Sequence, residues 1–258
     1  MKLSKRLQQI RAMTASNYDH IWDCCCDHGL LGMSLLETNL LDQYTPKIHF
    51  VDIVPKLMEE LEKKLHKHFV NHTKSHTPNP LQNDWQTHCL DVSDLPLASY
   101  PGKHLIIIAG VGGDQTCQFI EDICKNNPDL SFDFLLCPVH QLYHVRSQLI
   151  KQNLELKSEV LLEENQRFYE LILASKSPKT SNNINHTTNA VSPVGKQIWQ
   201  CESKDSLTIA QNYLNKTLGH YRRILQGSEN KEIAGIIEKY HKIQQDLDVQ
   251  ALKISGAR

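Results

Sequence analysis

The stretch His20-Ile21-Trp22-Asp23-Cys24-Cys25-Cys26-Asp27-His28-Gly29-Leu30-Leu31-Gly32 decides the fold. His20 to Asp23 reads as a strand that ends in an acid. Leu30 to Leu41 reads as a helix, and a loop of small and polar residues joins the two. The same unit follows downstream. Ile48-His49-Phe50-Val51-Asp52 is a second strand ending in an acid, and Pro55 opens a helix over Lys56 to His68 with Leu57, Leu61 and Leu65 on one face. Trp85 to Asp91, His104 to Ala109 and Phe132 to Cys137 read as three more strands, and Leu142 to Gln152 as a helix. Strands separated by helix-length segments imply βαβ units and a parallel sheet. The last two strands, about 154–163 and 167–174, have only the turn Asn165-Gln166 between them. No helix fits there, so they form an antiparallel hairpin.

Outward from this sheet the pattern is helical. Leu3, Leu7 and Ile10 place a short amphipathic helix at the N-terminus. Near the other end, Leu207, Leu214, Leu218, Tyr221 and Leu225 form one apolar stripe. Ile233, Ile236, Ile237, Tyr240, Ile243 and Leu247 form a second, with Gly227 and Ser228 between them as a stop. Two such helices joined by a short turn predict an antiparallel hairpin. Asn71 to Asn83 reads as a polar loop. Ser175 to Gly195 lacks apolar periodicity and is too long for an ordinary internal loop, so it reads as a linker. The expected division is a sheet domain over 1–174, a linker over 175–195 and a coiled-coil-like helical domain over 196–258. Because the sheet is complete by Ala174, the tail is expected to be separable.

Composition sets outer bounds. The 258 residues are 40% hydrophobic and 22% charged, which fits a globular chain and excludes collagen-like, disordered and membrane-spanning classes. No apolar run approaches the roughly 20 residues of a transmembrane helix. The basic N-terminus is not followed by the apolar run of a signal peptide. Eight cysteines without any CxxC pair read as reduced thiols in a cytosolic protein, with a zinc site as the alternative. The net charge of −1 hides an asymmetry: residues 1–15 carry +4, residues 196–258 carry +3, and the middle carries −8. Basic ends flanking an acidic middle can mark a face for a polyanion.

Ligands of open α/β sheets bind beyond the carboxyl ends of the strands. Polar residues collect there in this chain: Asp23 to Gly29 after the first strand, Asp52 after the second, Asp91 after the third, and Ala109-Gly110-Val111-Gly112-Gly113 after the fourth. That set suits a nucleoside. Asp52 can accept both ribose hydroxyls and Asp91 an adenine amino group. The GxGxxG fingerprint of dinucleotide sites is absent, so a nucleoside with an amino-acid tail, S-adenosylmethionine, fits better than a pyrophosphate. Its ammonium needs an oxygen that Asp23 or Asp27 can supply.

The same residues resemble a known family. Asp23 to Gly32 is similar to the D-I-G-S-D-H-[AG]-Y-L-P motif of the bacterial tRNA (adenine-22-N1)-methyltransferases, and Ala109 to Gly113 to their A-G-M-G-G motif. Leu3-Ser4-Lys5-Arg6-Leu7 and Tyr169-Glu170-Leu171-Ile172 resemble their L-S-x-R-L and Y-E-I-I segments. The resemblance covers residues 3 to about 174. It implies a Rossmann-like class I methyltransferase sheet, S-adenosylmethionine as cofactor, tRNA as substrate, and an appended helical domain. Cys25 stands where the family has its close-approach glycine, Gly32 replaces a proline, Leu30 a tyrosine and Val111 a methionine. Cys137-Pro138-Val139 replaces Q-P-N.

Methylation of adenine N1 needs orientation more than a base, because N1 carries a lone pair at neutral pH. Asp27, as a buried carboxylate, is expected to hold the N6 amino group and stabilise the cationic product. Cofactor-binding residues are expected at Asp23, Cys25, Gly29, Asp52, Asp91, Ala109 and Gly110. Substrate contacts are expected from His28 (otherwise a packed loop histidine), from Gly112 and Gly113, from Arg146 (otherwise a surface ion-pair residue), and from Arg222 and Arg223 (otherwise a solvated helix face). No metal is expected. His66, His68, His72 and His76 lack a matched set of ligands. A methyltransferase of another substrate and a non-catalytic cofactor- or RNA-binding module are the competing readings.

Overall fold

The strands form where β-branched and aromatic residues run between polar turns: His20–Cys24 (β1), Lys47–Asp52 (β2), Trp85–Cys89 (β3), His104–Ala109 (β4), Phe132–Cys137 (β5), Glu155–Glu164 (β6) and Arg167–Lys176 (β7). The structure, a computed structural model, describes residues 3–14, 18–39, 45–70, 84–178, 189–227 and 230–256. One sheet runs in the order β3-β2-β1-β4-β5-β7-β6. The first five strands are mutually parallel, and β7 is antiparallel to β5 and to β6. This is the expected mostly parallel Rossmann-like sheet with a terminal hairpin. Asn165 and Gln166 both have positive φ, 51° and 60°, the backbone of a primed hairpin turn that matches strand twist.

Helices cover both faces: Lys5–Met13 (α1), Leu30–Asn39 (α2), Pro55–Leu65 (α3, prolonged by a π-type turn to Val70), Gly113–Asn126 (α4) and Leu142–Lys151 (α5). Strand alternation divides the core accordingly. Phe50, Leu105, Ile107 and Leu135 meet α1, α2 and α3, while Val51, Ile106, Ile108, Phe134 and Leu136 meet α4 and α5. Ser4 caps α1, its hydroxyl accepting from the Leu7 amide. Two helices complete the chain, Lys204–Gln226 (α6), with a Ser203/Ser206 capping box, and Lys231–Gly256 (α7). Leu207, Leu214, Leu218, Tyr221, Ile236, Tyr240 and Leu247 close a third core that takes in Tyr143 and packs on Leu161 and Phe168.

Three sequence expectations change. β3 ends at Cys89, and Asp91 instead caps a short 3-10 turn over Val92–Asp94, accepting from the Ser93 amide at 2.8 Å. The loop at 71–83 and the centre of the linker, 179–188, lie outside the described residues. The linker's ends do not behave as linker: Ser175 and Lys176 belong to β7, Ala190 bridges Glu155, and Val191 and Val194 are buried. The tail is also joined to the sheet by buried hydrogen bonds, rather than set apart at Ala174. Glu170 of β7 accepts a hydrogen bond from the Tyr213 hydroxyl of α6 at 2.5 Å, and Glu159 of β6 accepts from the amides of Lys196 and Gln197, each at 2.5 Å. Removing the tail would leave both carboxylates short of donors inside the protein.

Histidines line the sheet beneath Tyr100. His20 Nδ1 lies 3.0 Å from His49 Nε2, and His49 Nδ1 lies 2.9 Å from His88 Nε2, so one proton is shared across each gap. Trp22 stacks on His49 at 3.8 Å and donates to His104 Nδ1. Burial lowers His49 to about 2 and His88 to about 4, and lowers His20 and His104 too.

Candidate active site

All five parallel strands end at one edge, so the loops after β1, β2, β3, β4 and β5 converge there. The loop after β1 is tightly wound: Cys25, Asp27 and Gly29 all have positive φ (54°, 49° and 68°). Cys26 donates its amide to Val51 O, and Gly29 its amide to Cys26 O. Asp52 knits this loop to its own: Oδ2 accepts from the Asp27 amide at 3.1 Å and Oδ1 from the Val54 amide at 3.0 Å. Cys25 sits among the acids. Its thiol is pushed up to about 12, by burial first and then by the charges of Asp52, Asp23 and Asp91. These residues are therefore brought together as expected. The side chain at 25 adopts the left-handed backbone in the position where the resemblance has glycine, so strain is accepted there.

Among the described residues no lysine or arginine pairs with Asp23, Asp27, Asp52 or Asp91; the one contact with a titratable cation is His28 Nε2 to Asp27 Oδ1 at 3.6 Å. Such a set of carboxylates attracts a cationic ligand. Gly110, with φ of 88°, faces open space: a Cβ added there would meet only Arg6 Nη1, at 3.8 Å. Ala109, half-buried, pairs with Cys137 across β4 and β5. The edge therefore offers carboxylates, an open backbone position and room beside it, which fits the ammonium, sulfonium and ribose of S-adenosylmethionine.

Several expected site residues have other work. Asp23 is buried beneath the loop, and its Oδ2 accepts the Gly32 amide at 2.9 Å near the start of α2. Burial raises it to about 7. Through its bond to Gly32 it holds the loop to the start of α2. Gly29 is required by packing: a Cβ would stand 2.4 Å from Leu61 Cδ1. Gly112 and Gly113 do not make room for a base. Cβ atoms there would strike the His140 ring at 2.8 Å and Gln141 Cβ at 2.6 Å, because the β5–α5 turn packs on them. Arg146 is neither an RNA contact nor a surface residue. It is fully buried between α5, β6 and β7, with Nη1 2.7 Å from Glu159 Oε2 and Nη2 2.6 Å from Glu170 Oε2. Those two contacts are charge pairs outside hydrogen-bond angles, whereas Nε donates to Glu170 Oε2 at 2.8 Å. Burial opposes the charge of Arg146, but the two carboxylates outweigh it and hold the pKa above its ordinary value. Asp27 is not buried; its side chain is 65% exposed. Arg222 and Arg223 are exposed on α6, Arg222 beside His241 and Arg223 donating to Gly219 O.

Other residues at this edge escaped the sequence reading. Ile53 and Val54, directly after Asp52, are large, apolar and exposed, as are Leu30 and Val139. The apolar pair just beyond Asp52, at the end of β2, was the available signal. Gln141, in left-handed conformation, accepts from the Asp114 amide at 3.1 Å and donates to Asp114 Oδ2 at 2.8 Å, tying the β5–α5 turn to the start of α4. All eight cysteines are free thiols. Among the described residues no cluster of histidine, cysteine and acid could hold a metal, and no helix is long and apolar enough to cross a membrane.

Comparison with known proteins supplies independent findings. A methyltransferase-domain family profile matches residues 3–172, and the profile of the tRNA (adenine(22)-N(1))-methyltransferases matches residues 99–249. No curated protein sequence matches the chain. Among solved structures, that of M. capricolum TrmK in complex with S-adenosyl-homocysteine is similar over 96% of this chain and 99% of its own, with 21% identity and a TM-score of 0.63. The B. subtilis m1A22 tRNA methyltransferase TrmK is similar over 96% of this chain and 97% of its own, at 18% identity and a TM-score of 0.58. An uncharacterized protein of Listeria monocytogenes serotype 4b is similar over 96% and 98%, at 17% identity and a TM-score of 0.64. At these identities the structural likeness speaks for the fold; the profile match over more than half of the chain speaks for the family.

Proposed function

Since the chain belongs to the tRNA (adenine(22)-N(1))-methyltransferase family and is an S-adenosylmethionine-dependent enzyme, we propose the following division of labour among its residues. The cofactor supplies an electrophilic methyl group on a sulfonium. Asp52, its carboxylate fixed by the amides of Asp27 and Val54, receives the ribose hydroxyls. Ile53 and Val54 cover one face of the cofactor's purine, and Asp91 accepts from its amino group. Cys25 and Ala109 line the methionine portion, whose ammonium meets the acid cluster. Asp23 holds the loop from beneath.

The target adenine lies beside Gly110, where the backbone is open. Its N1 is the nucleophile, so orientation and exclusion of water carry the catalysis; proximity alone can lower a barrier by ~7–11 kcal/mol. Asp27 accepts from the N6 amino group, turning N1 toward the methyl, and its anion stabilises the cationic product. In the free enzyme this carboxylate is exposed and becomes buried only under the substrate. His28 stands beside it as a hydrogen-bond partner. Arg222 and Arg223 on α6, with the basic N-terminal segment, face the tRNA backbone. The eight free thiols agree with work in the cytoplasm.

The observation that carries this reading is the set of carboxylates without a lysine or arginine partner beside an open Gly110 at one sheet edge. The test is mass spectrometry of nucleosides from a tRNA transcript incubated with enzyme and cofactor. The expected product is 1-methyladenosine. Cofactor turnover on other molecules, or binding without turnover, would refute the assignment.

A further inference from the structure

The carboxyl edge of the sheet is electrically divided. Its β1-β2-β3 side carries the acids. On its β4-β5-β7 side the cation next to Gly110 is Arg6, delivered by α1. Arg6 Nη1 lies 3.8 Å from the place a Cβ on Gly110 would take. The guanidinium stands over the Tyr169 ring of β7, 5.1 Å from its centroid, with its charge close to the Cys137 thiol at the end of β5. So the head group sits across the ends of three strands, next to the open backbone position.

The placement is built by the surroundings. Glu164 Oε1, at the end of β6, accepts the Lys5 amide at 2.5 Å and so pins the first turn of α1 to the β6–β7 hairpin. Leu7 and Ile10 anchor the same helix on the sheet beside Ala109, Cys137 and Leu171. Among the described residues no carboxylate pairs with Arg6. The contrast with Arg146 is direct, since that guanidinium is fully buried between two glutamates. An arginine oriented by an aromatic ring has lost little freedom still to be lost on binding, and its fork matches a phosphate.

We propose that Arg6 binds the backbone phosphate of the nucleotide whose base enters beside Gly110, and thereby sets the depth at which that base presents its N1. The inference rests on the tRNA methyltransferase reading above. The cofactor's cationic centre belongs on the acidic side of the edge, and the polyanionic substrate on the side of Arg6. A phosphate there is favoured over the cofactor's carboxylate because the cation lies toward β5 and β7, away from Asp52 and Asp91.

The test compares the full-length protein with its Arg6→Met and Arg6→Lys variants, using an unmodified tRNA transcript. The readouts are KM, kcat, and tRNA affinity between 50 and 200 mM KCl. Calorimetry of S-adenosylmethionine binding and the thermal midpoint accompany them. Arg6→Met should weaken tRNA about ten- to a hundredfold, the equivalent of one charge-assisted contact, with the loss mainly in KM. Its salt slope should fall by about 0.7–0.9, the value for one phosphate. Arg6→Lys should keep the slope and lose a few-fold in affinity, as a point charge replaces a fork. A slope unchanged in Arg6→Met overturns the proposal, and so does a loss that appears in cofactor affinity. Should Arg6→Met fold poorly, an Arg6→Lys affinity equal to that of the parent overturns it as well. If the parent protein binds the transcript with an Arg6-dependent slope but transfers no methyl, the activity reading falls and the phosphate contact stands.

Discussion

Replacing Arg146 with Met removes the one cation that neutralises Glu159 and Glu170 inside the protein. Arg146 and both glutamates are essentially inaccessible to water. Loss of a partner from a buried pair costs about 3–5 kcal/mol, because the remaining charge stays buried. Methionine fills much of the lost volume, so a cavity adds little. For a chain of this size each kcal/mol moves the thermal midpoint by about 2–4 °C, which gives a fall of about 6–20 °C at pH 8. The carboxylates can relieve the strain by taking a proton. A buried acid without its cation has a raised pKa, so the folded variant holds a proton that the unfolded chain releases, and its stability deficit shrinks as pH falls. Thermal melts of parent and variant at pH 8 and pH 6 read both effects. Adding Glu170→Gln to Arg146→Met should recover part of the loss at pH 8. A midpoint within about 2 °C of the parent at pH 8, or a deficit that does not shrink at pH 6, would refute the reasoning. Below its midpoint the variant should bind tRNA within about twofold of the parent; a tenfold loss there would return Arg146 to the RNA surface.

Asp52→Ala should lower S-adenosylmethionine affinity about tenfold or more, as charge-assisted bonds are worth ~1.5–3 kcal/mol each; unchanged calorimetric affinity would remove Asp52 from the site. Asp27→Asn should fold normally, since asparagine tolerates the left-handed backbone at position 27, and should lose at least about a hundredfold in turnover at saturating cofactor, ~2.7 kcal/mol. Rescue by excess cofactor would assign Asp27 to the cofactor amine instead. Unfolding free energy should be fullest above pH 6.5 and drop toward pH 4, because His20, His49, His88 and His104 stay neutral when folded but take protons when unfolded below about 6.5. Asp23, raised to about 7, works the other way by one proton, so His49 and His88 alone leave a net of about one (two minus one) and a slope of ~1 kcal/mol per pH unit near pH 5, to which His20 and His104 add in the same direction. A flat urea-unfolding profile between pH 7 and 5 would contradict this.

The fold was legible because its signals are local. β2, β4 and β5 are short, mostly apolar runs bounded by polar turns, and the absence of room between β6 and β7 forces the hairpin. The acid that ends β2 could be placed at the carboxyl edge from the sequence alone. Strand ends were less legible where side chains compete with the ladder: Asp91 turns its carboxylate onto the Ser93 amide and stops β3 two residues early. The histidine row was not visible, because each of its members comes from a different strand and only the parallel register brings His20, His49, His88 and His104 together.

The sequence placed the acids of the candidate site at one sheet edge, but it did not show what packs on the motif glycines or pairs with Arg146, for a single physical reason. A glycine marks close approach but does not say by what. Gly29 and Gly32 admit Leu61 and Phe50, and Gly112 and Gly113 admit His140 and Gln141, so four of the motif glycines serve the packing of protein on protein. Of these five motif glycines Gly110 alone is not closely packed, and it lies beside Arg6. An arginine likewise marks a carboxylate or a phosphate without saying which. The distinction comes from strands distant in sequence: Glu159 and Glu170 arrive through the β6–β7 hairpin and consume Arg146, while the same hairpin turns Tyr169 outward beneath Arg6 and leaves that guanidinium without an acid. Alternation along β7 therefore sends one residue, Glu170, to hold the tail against the sheet and its neighbour, Tyr169, to the opposite face beneath Arg6. The adjacent residues Tyr169 and Glu170 thus serve the two faces separately, and a substitution at either should disturb one face without the other: Glu170 the attachment of α6, and Tyr169 the orientation of Arg6 and with it the proposed hold on the substrate.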